Sequence, residues 1–277
     1  MHALRDEGPL VSPTRWKPRL VWCGRDAGGA HEAGERYVVK YLQGQQGAAA
    51  LISEVVCRAL LEAGGIRVLE AALVYVSPEL SASYARKSDP DYDVQPGYHF
   101  GTVLRTDVHP GPPTSINQLA VPQESVDIWV FDSWFMNTDR PNFGNLLMAP
   151  SGGKWHLIPA DQSDCFGGAA TFASGRLADV ARRRGAADGG PWLEQAILRS
   201  GGVQGIRIAL EKASRASRCV SAALHQVPDD WWREARLQAS QVGACLEERA
   251  RRLHQIVDLK KWRGLSDAIR GGRVLDI

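Results

Sequence analysis

The chain of 277 residues has no long apolar run. Nothing in it approaches the roughly 18 consecutive apolar residues that cross a bilayer, so no membrane anchor is expected. Its first residues, Met1-His-Ala-Leu-Arg-Asp-Glu-Gly8, contain no apolar segment of signal-peptide type. The five cysteines (Cys23, Cys57, Cys165, Cys219 and Cys245) are odd in number, scattered, and never spaced Cys-x-x-Cys. That argues against a disulfide framework and a structural zinc site, and for free thiols in a reducing cytoplasm. Internal repeats, low-complexity blocks and a recognisable DNA-binding motif are also missing. Net charge is nearly absent, at +2, but it is unevenly spread. Residues 170–277 carry 19 Lys and Arg against 12 Asp and Glu, while the preceding 169 residues carry 14 against 19. The basic residues are spread along a hundred positions without interleaved stacking aromatics. They read as solvated helix faces, with nucleic acid at most an indirect partner.

What is present is an ordinary globular composition, 44% hydrophobic and 23% charged, in a chain long enough to bury a full core. Residues 1–18, polar and dotted with prolines, read as a flexible arm. Arg19–Cys23 and Glu35–Leu42 read as strands flanking the glycine-rich stretch Gly24–Gly34. Gly47–Ala63 has helical periodicity and is stopped by Gly64-Gly65. Val68–Val76 is a third strand, 77–97 a long loop, and Tyr98–Leu104 a further strand. From Thr114 the pattern turns helical, over 114–120, 124–137, 176–184, 191–200, 203–218, 229–256 and 258–270. Two short strands at 146–148 and 155–158 interrupt it. The expected class is α+β, with a sheet-rich part over 19–104 and a helical part over 105–277.

One stretch stands out, Phe131 to Met148. An apolar helical run ends in Asn137-Thr-Asp-Arg140 and resumes as Leu146-Leu-Met148. Polar residues wedged between a buried helix and a buried strand are costly without a role, since an unpaired buried amide costs about 1–3 kcal/mol. Asp139 is therefore read as a working carboxylate. Lys40 ends a strand, Glu54 sits inside an apolar helix, and Asp161 follows a strand. Singly, each has a bland reading as a solvated end, a helix edge or a turn residue. In series they give strand-Lys, helix-Glu, loop-Asp with a downstream Asn, then loop-Asp. Phosphoryl transfer needs these types: a cation for phosphates, a carboxylate that holds it, a proton acceptor, and hard oxygen ligands for Mg²⁺.

The chain resembles the HipA-like kinase family. The matching residues are Tyr37-Val-Val-Lys40, Glu54, Pro96-Gly-Tyr-His-Phe-Gly101, Asn137-Thr-Asp-Arg140 with Asn145-Leu-Leu147, Ile158-Pro-Ala-Asp161 and Val227-Pro-Asp-Asp-Trp231. The resemblance implies a two-lobed protein-kinase-like fold, ATP with Mg²⁺, and transfer to a serine or threonine hydroxyl of a protein. It implies Asp139 as base, with Lys40, Glu54, Phe100 and Asn137 at the nucleotide and Asp161 at the metal. The position five residues after Asp139, where kinases of this type keep a metal-binding Asn, is Gly144, so Asn145 and Asn142 are the candidates. A regulatory partner of antitoxin type is also implied. Transfer to a small molecule or lipid, or a non-catalytic nucleotide-binding scaffold, are the alternative readings.

Overall fold

The structure, a computed structural model, describes residues 1–10, 18–25, 34–42, 47–85, 94–111, 113, 115–142, 144–189 and 193–262. The mixed α+β class is as expected. Five strands close into a small barrel: β1 (His2–Pro9), β2 (Arg19–Gly24), β3 (Glu35–Lys40), β4 (Ala71–Val76) and β5 (Gly97–Val103), in the order β1-β2-β3-β5-β4. Side chains alternate across its wall with the period of two that strands impose. On β3, Tyr37 and Val39 enter the barrel core beside Val21, Val74 and Val76, while Val38 and Lys40 line a cleft outside it. Lys40 pairs in register with Phe100 of β5, which lines the same cleft.

The strand β1 corrects the reading of residues 1–18 as a loose arm. It pairs antiparallel with β2 through two register shifts. Its polar sequence is accommodated by a buried ion pair, in which Arg19 Nε donates to Asp6 Oδ1 at 2.9 Å. An inward charge of this kind looks like a solvent-facing residue until its partner across the sheet is known. Residues 11–17 and the glycine-rich stretch 26–33 lie outside the described residues.

The helix α1 (Gly47–Ala63) is buried on nearly every side and belongs to the larger core. It packs between β5 and four helices of the later chain: α4 (Ala169–Ala173), α7 (Val203–Ser217), α8 (Val220–Leu224) and α9 (Asp229–Ala235). The segment 77–97 is not all loop, since Pro78–Ala85 forms α2; residues 86–93 are outside the described set. The helix expected over 114–120 is a single 3-10 turn, Ile116–Gln118, closed by a Ser115 capping box. The central helix α3 (Gln123–Phe135) leads into the hairpin of β7 (Leu146–Ser151) and β8 (Lys154–Pro159), with the two-residue β6 (His109–Pro110) at its edge.

Helices α5 (Leu177–Arg182) and α6 (Leu193–Arg199) lie where expected, within a few residues. The helix expected over 229–256 is broken into α9 and α10 (Ala239–Ile256). Arg236 stands between them at φ +53° and caps α9 in the left-handed region. No glycine marks that break, so the sequence gives no stop signal there. Most of the helix expected over 258–270 lies outside the described residues.

Candidate active site

Three elements converge on one cation. Lys40 ends β3, Glu54 sits near the middle of α1, and Asp161 follows β8. The Lys40 ammonium is paired with Glu54 Oε1 and lies 2.8 Å from Asp161 Oδ1. Glu54 is held on its other oxygen, Oε2, by the backbone N–H of Gln162 at 3.0 Å. All three side chains are largely buried. Burial by itself would lower the Lys40 pKa, but the Asp161 and Glu54 carboxylates outweigh it and push it up to about 12. Burial pushes Glu54 up to about 7 against the pull of Lys40. Asp161 is also buried, but Lys40 and the bonds it accepts hold its carboxyl well below the usual carboxylate range. One of those bonds comes from the Ser163 hydroxyl at 2.5 Å. Asp161 takes φ +51°, a left-handed conformation that Asp tolerates better than most residues.

Asp139 is gripped by two amides. Asn145 Nδ2 donates to its Oδ2 at 2.6 Å and to its backbone oxygen at 2.8 Å. Asn142 Nδ2 donates to Oδ1. Burial raises the Asp139 pKa, the Asn145 bond opposes that, and nearby Asp164 and Asp161 add to the rise. Its carboxylate is thus oriented and more basic than a solvated one. Gly144 stands at φ +98°, a backbone state that side-chain-bearing residues rarely adopt. The residue that follows it, Asn145, carries the side-chain amide that bonds Asp139.

Holding this loop is Arg140, whose five N–H donors all find acceptors. Nε donates to Asp132 Oδ2 at 2.8 Å, and one terminal nitrogen to Asp132 Oδ1 at 3.0 Å and Gln162 Oε1 at 2.9 Å. The other donates to the Asn145 carbonyl and to the Ala160 carbonyl, the latter at 2.6 Å. One guanidinium therefore ties α3, the Asp139 loop and the segment entering Asp161 together. A second arginine, Arg249 of α10, is fully buried and donates to the carbonyls of Ser133 and Trp134 at the end of α3 and of Val180 and Arg183 after α5. Burial lowers its pKa to about 10. Sequence reasoning missed Asp132 and Arg249. Asp132 did leave a signal, as an acid inside the apolar run Phe131-Asp-Ser-Trp-Phe135. Arg249 left none, being one of several arginines on an amphipathic helix.

Of the expected residues, Lys40, Glu54, Phe100, Asn145 and Asp161 line a single cleft of about 460 Å³, with Val38, Leu104 and Leu147 as apolar wall. Asp139 adjoins it through Asn145. Asn137 is buried outside the lining, with its amide bonded to Asp132 and to the Asp139 N–H. Asn142 is exposed and lines a smaller cavity, not the cleft. The donor chemistry fits Mg²⁺: with Asn145 Nδ2 committed to Asp139, its Oδ1 and the Asp161 carboxylate are the hard oxygens that would hold such an ion. Among the described residues, no group of three His, Cys, Asp or Glu comes together as a closed metal site. A buried ammonium between two carboxylates can hold phosphate oxygens, and an oriented basic carboxylate can accept a proton.

Comparison with known proteins gives a partial family match and a likeness of fold. No curated protein sequence matches the chain. Among solved structures, the proinflammatory kinase CtkA of Helicobacter pylori superposes with a TM-score of 0.54 at 12% identity, over 95% of this chain and 96% of that one, a likeness of fold. HipA of Shewanella oneidensis MR-1, solved with HipB and operator DNA, gives a TM-score of 0.40 at 10% identity over 98% and 68%. No helix among the described residues is long and apolar enough to cross a membrane. A family model described as HipA-like kinase matches residues 29–163. Lys40, Glu54, Asp139, Asn145 and Asp161 all fall within that matched segment.

Proposed function

We propose that the chain is an ATP-dependent protein kinase that transfers the γ-phosphoryl group to a serine or threonine hydroxyl. In this reading the fold is two-lobed, with residues 19–104 and the strand β1 as the smaller lobe and 105–277 as the larger. The observation that carries it is the Lys40 ammonium bridging Glu54 and Asp161 on the wall of a cleft that Asn145 also lines. Lys40 binds the nucleotide phosphates, and Glu54 holds it in place. Phe100 and the apolar wall take the base of the nucleotide. Asp161 and Asn145 are the ligands for Mg²⁺, which when bound neutralises charge on the phosphate oxygens. Asp139 accepts the hydroxyl proton as the new O–P bond forms and ADP leaves with the bridging oxygen. Its two amide bonds aim the carboxylate, and burial keeps it basic enough to take a proton. Asn137, outside the cleft lining, positions Asp139 by accepting from its backbone N–H. An antitoxin-like regulatory protein belongs to the same proposal, by family resemblance.

Radiolabelled ATP with Mg²⁺, incubated with the protein and a cell lysate, tests the reading. Label should move to the protein itself or to a lysate protein, and Asp139→Asn should reduce transfer about 10²-fold or more. No transfer at high protein concentration would sink the kinase reading. Undiminished transfer by Asp139→Asn would sink the role of that residue.

A further inference from the structure

A second cavity, of about 120 Å³, lies beside the loop that carries Asp139. Its walls are apolar, with Ile116, Ile128, Trp129, Leu157 and Leu193 prominent. The strand β7 divides it from the cleft: Leu147 faces the cleft and its neighbour Leu146 faces this cavity. The two sites touch the loop differently as well, through Asn145 on the cleft side and Asn142 on the other. Asn142 donates to Asp139 Oδ1, so one side chain separates the cavity from the candidate base.

The polar groups in its lining narrow the ligand. Arg140 and Asp132 line it, but Arg140 has spent all five donors and Asp132 accepts on both oxygens. Among the described lining residues that leaves Asp188, which is exposed, as the other ionisable group, while the Ile, Leu and Trp walls suit an uncharged apolar group. An engineered apolar cavity of about 150 Å³ holds one benzene, so this one suits a single aliphatic side chain. At its rim Asp188 and Gly189 end a segment whose backbone is fastened. Arg249 bonds the Val180 and Arg183 carbonyls, and Ala187 bonds Ser133 Oγ at 3.0 Å and Trp129 Nε1 at 2.9 Å. From this fixed backbone Arg182, Arg183 and Arg184 project into solvent. Arg182 pairs with Asp179.

We propose that this cavity takes an aliphatic side chain flanking the acceptor hydroxyl of the protein substrate, and that Arg183 and Arg184 take acidic residues farther along the same segment. The inference rests on the kinase reading for its use, but not for its binding. The acceptor segment would lie across Asn142, with its hydroxyl at Asp139 and its anchoring side chain beyond.

Fluorescein-labelled peptides of Ala and Gly around one Ser test it, with a single Leu walked through the flanking positions. Anisotropy reads binding without turnover, and labelled ATP reads phosphorylation of the same peptides. Leu at one fixed offset should tighten binding about 10- to 100-fold over Ala, the range expected for burying one such side chain. Two Glu residues added beyond it should tighten binding further, and Arg183→Glu with Arg184→Glu should remove that gain. Ser125→Phe fills the cavity from the half-buried first turn of α3 and should erase the Leu preference. Should that variant melt early, Leu193→Ala widens the cavity and should move the preference from Leu to Phe. Equal binding of every Leu peptide, or a preference untouched by both variants, overturns the proposal. Variant-sensitive binding with no phosphorylation at all would leave the cavity assignment standing and count against the kinase reading instead.

Discussion

Arg140→Lys keeps the charge at the centre of the site and removes the geometry. The native guanidinium makes five hydrogen bonds from a buried position, two of them to the Asp132 carboxylate. A lysine offers three donors on one nitrogen and cannot reach three separate segments. At least two buried acceptors are left bare, each costing about 1–3 kcal/mol. The weakened pairing with Asp132 adds to that, since breaking a buried ion pair costs about 3–5 kcal/mol. A loss of about 4 kcal/mol corresponds to a fall in Tm on the order of 10 °C for a chain of this size. Urea titration and thermal melts read both quantities. Pairing the change with Asp132→Asn in a double-mutant cycle should return a coupling of about 1–3 kcal/mol, because the two side chains act as one unit. A Tm within 2 °C of the parent, or additive single effects, would refute the view that Arg140 is the tie between α3, the Asp139 loop and Asp161.

Lys40→Met should abolish the thermal shift produced by ATP with Mg²⁺ and destabilise the unliganded protein by about 3–5 kcal/mol, because it strands two buried carboxylates; a retained nucleotide shift would count against its role at phosphates. Gly64→Ala drives a methyl group into the Phe131 ring, so the end of α1 must move off α3, at about 1–3 kcal/mol in a urea titration. His99 provides the pH test. It is buried, its Nδ1 accepts from the Leu42 N–H at 3.0 Å, and burial lowers its pKa from 6.5 to about 4. A base whose folded pKa is depressed stabilises the fold above pH 6.5 and loses that contribution as pH falls towards 4, roughly 3 kcal/mol in all. His99→Gln should flatten the stability profile over that interval, and an unchanged acid limb would rule out His99 as its source.

The parts of the molecule that the sequence made legible are those whose signal is local. Helix α1 repeats its apolar residues with helical spacing and stops at two glycines, so its extent was readable to the residue. Glu54 was conspicuous as a charge inside an apolar helix, and Asp139 as a polar break between two buried elements, whereas Lys40 was only a charge closing a strand. Their convergence needed the order of types along the chain, which local patterning does not supply. What stayed hidden depends on partners distant in sequence. The strand β1 reads as a polar arm because Asp6 is satisfied by Arg19 across the sheet. The break at Arg236 and the end of α3 at Met136 are left-handed caps without glycine, imposed by what the following residues must reach.

Arg249 is the extreme case, a charge with no carboxylate partner among the described residues that closes the carbonyl ends of α3 and α5, the former from 115 residues away. Its position gives a physical reason for the sharp halt of α3 just before Asn137-Thr-Asp-Arg140. Carbonyls at the end of a helix must be paired, and a buried cation there is favoured by the helix dipole. Met136 then turns left-handed, and the chain arrives at Asp139 in one orientation. Arg249 holds the end of the helix while Arg140 holds the loop that follows. The candidate base is thus oriented by two buried arginines, of which only the one beside it stood out in the sequence.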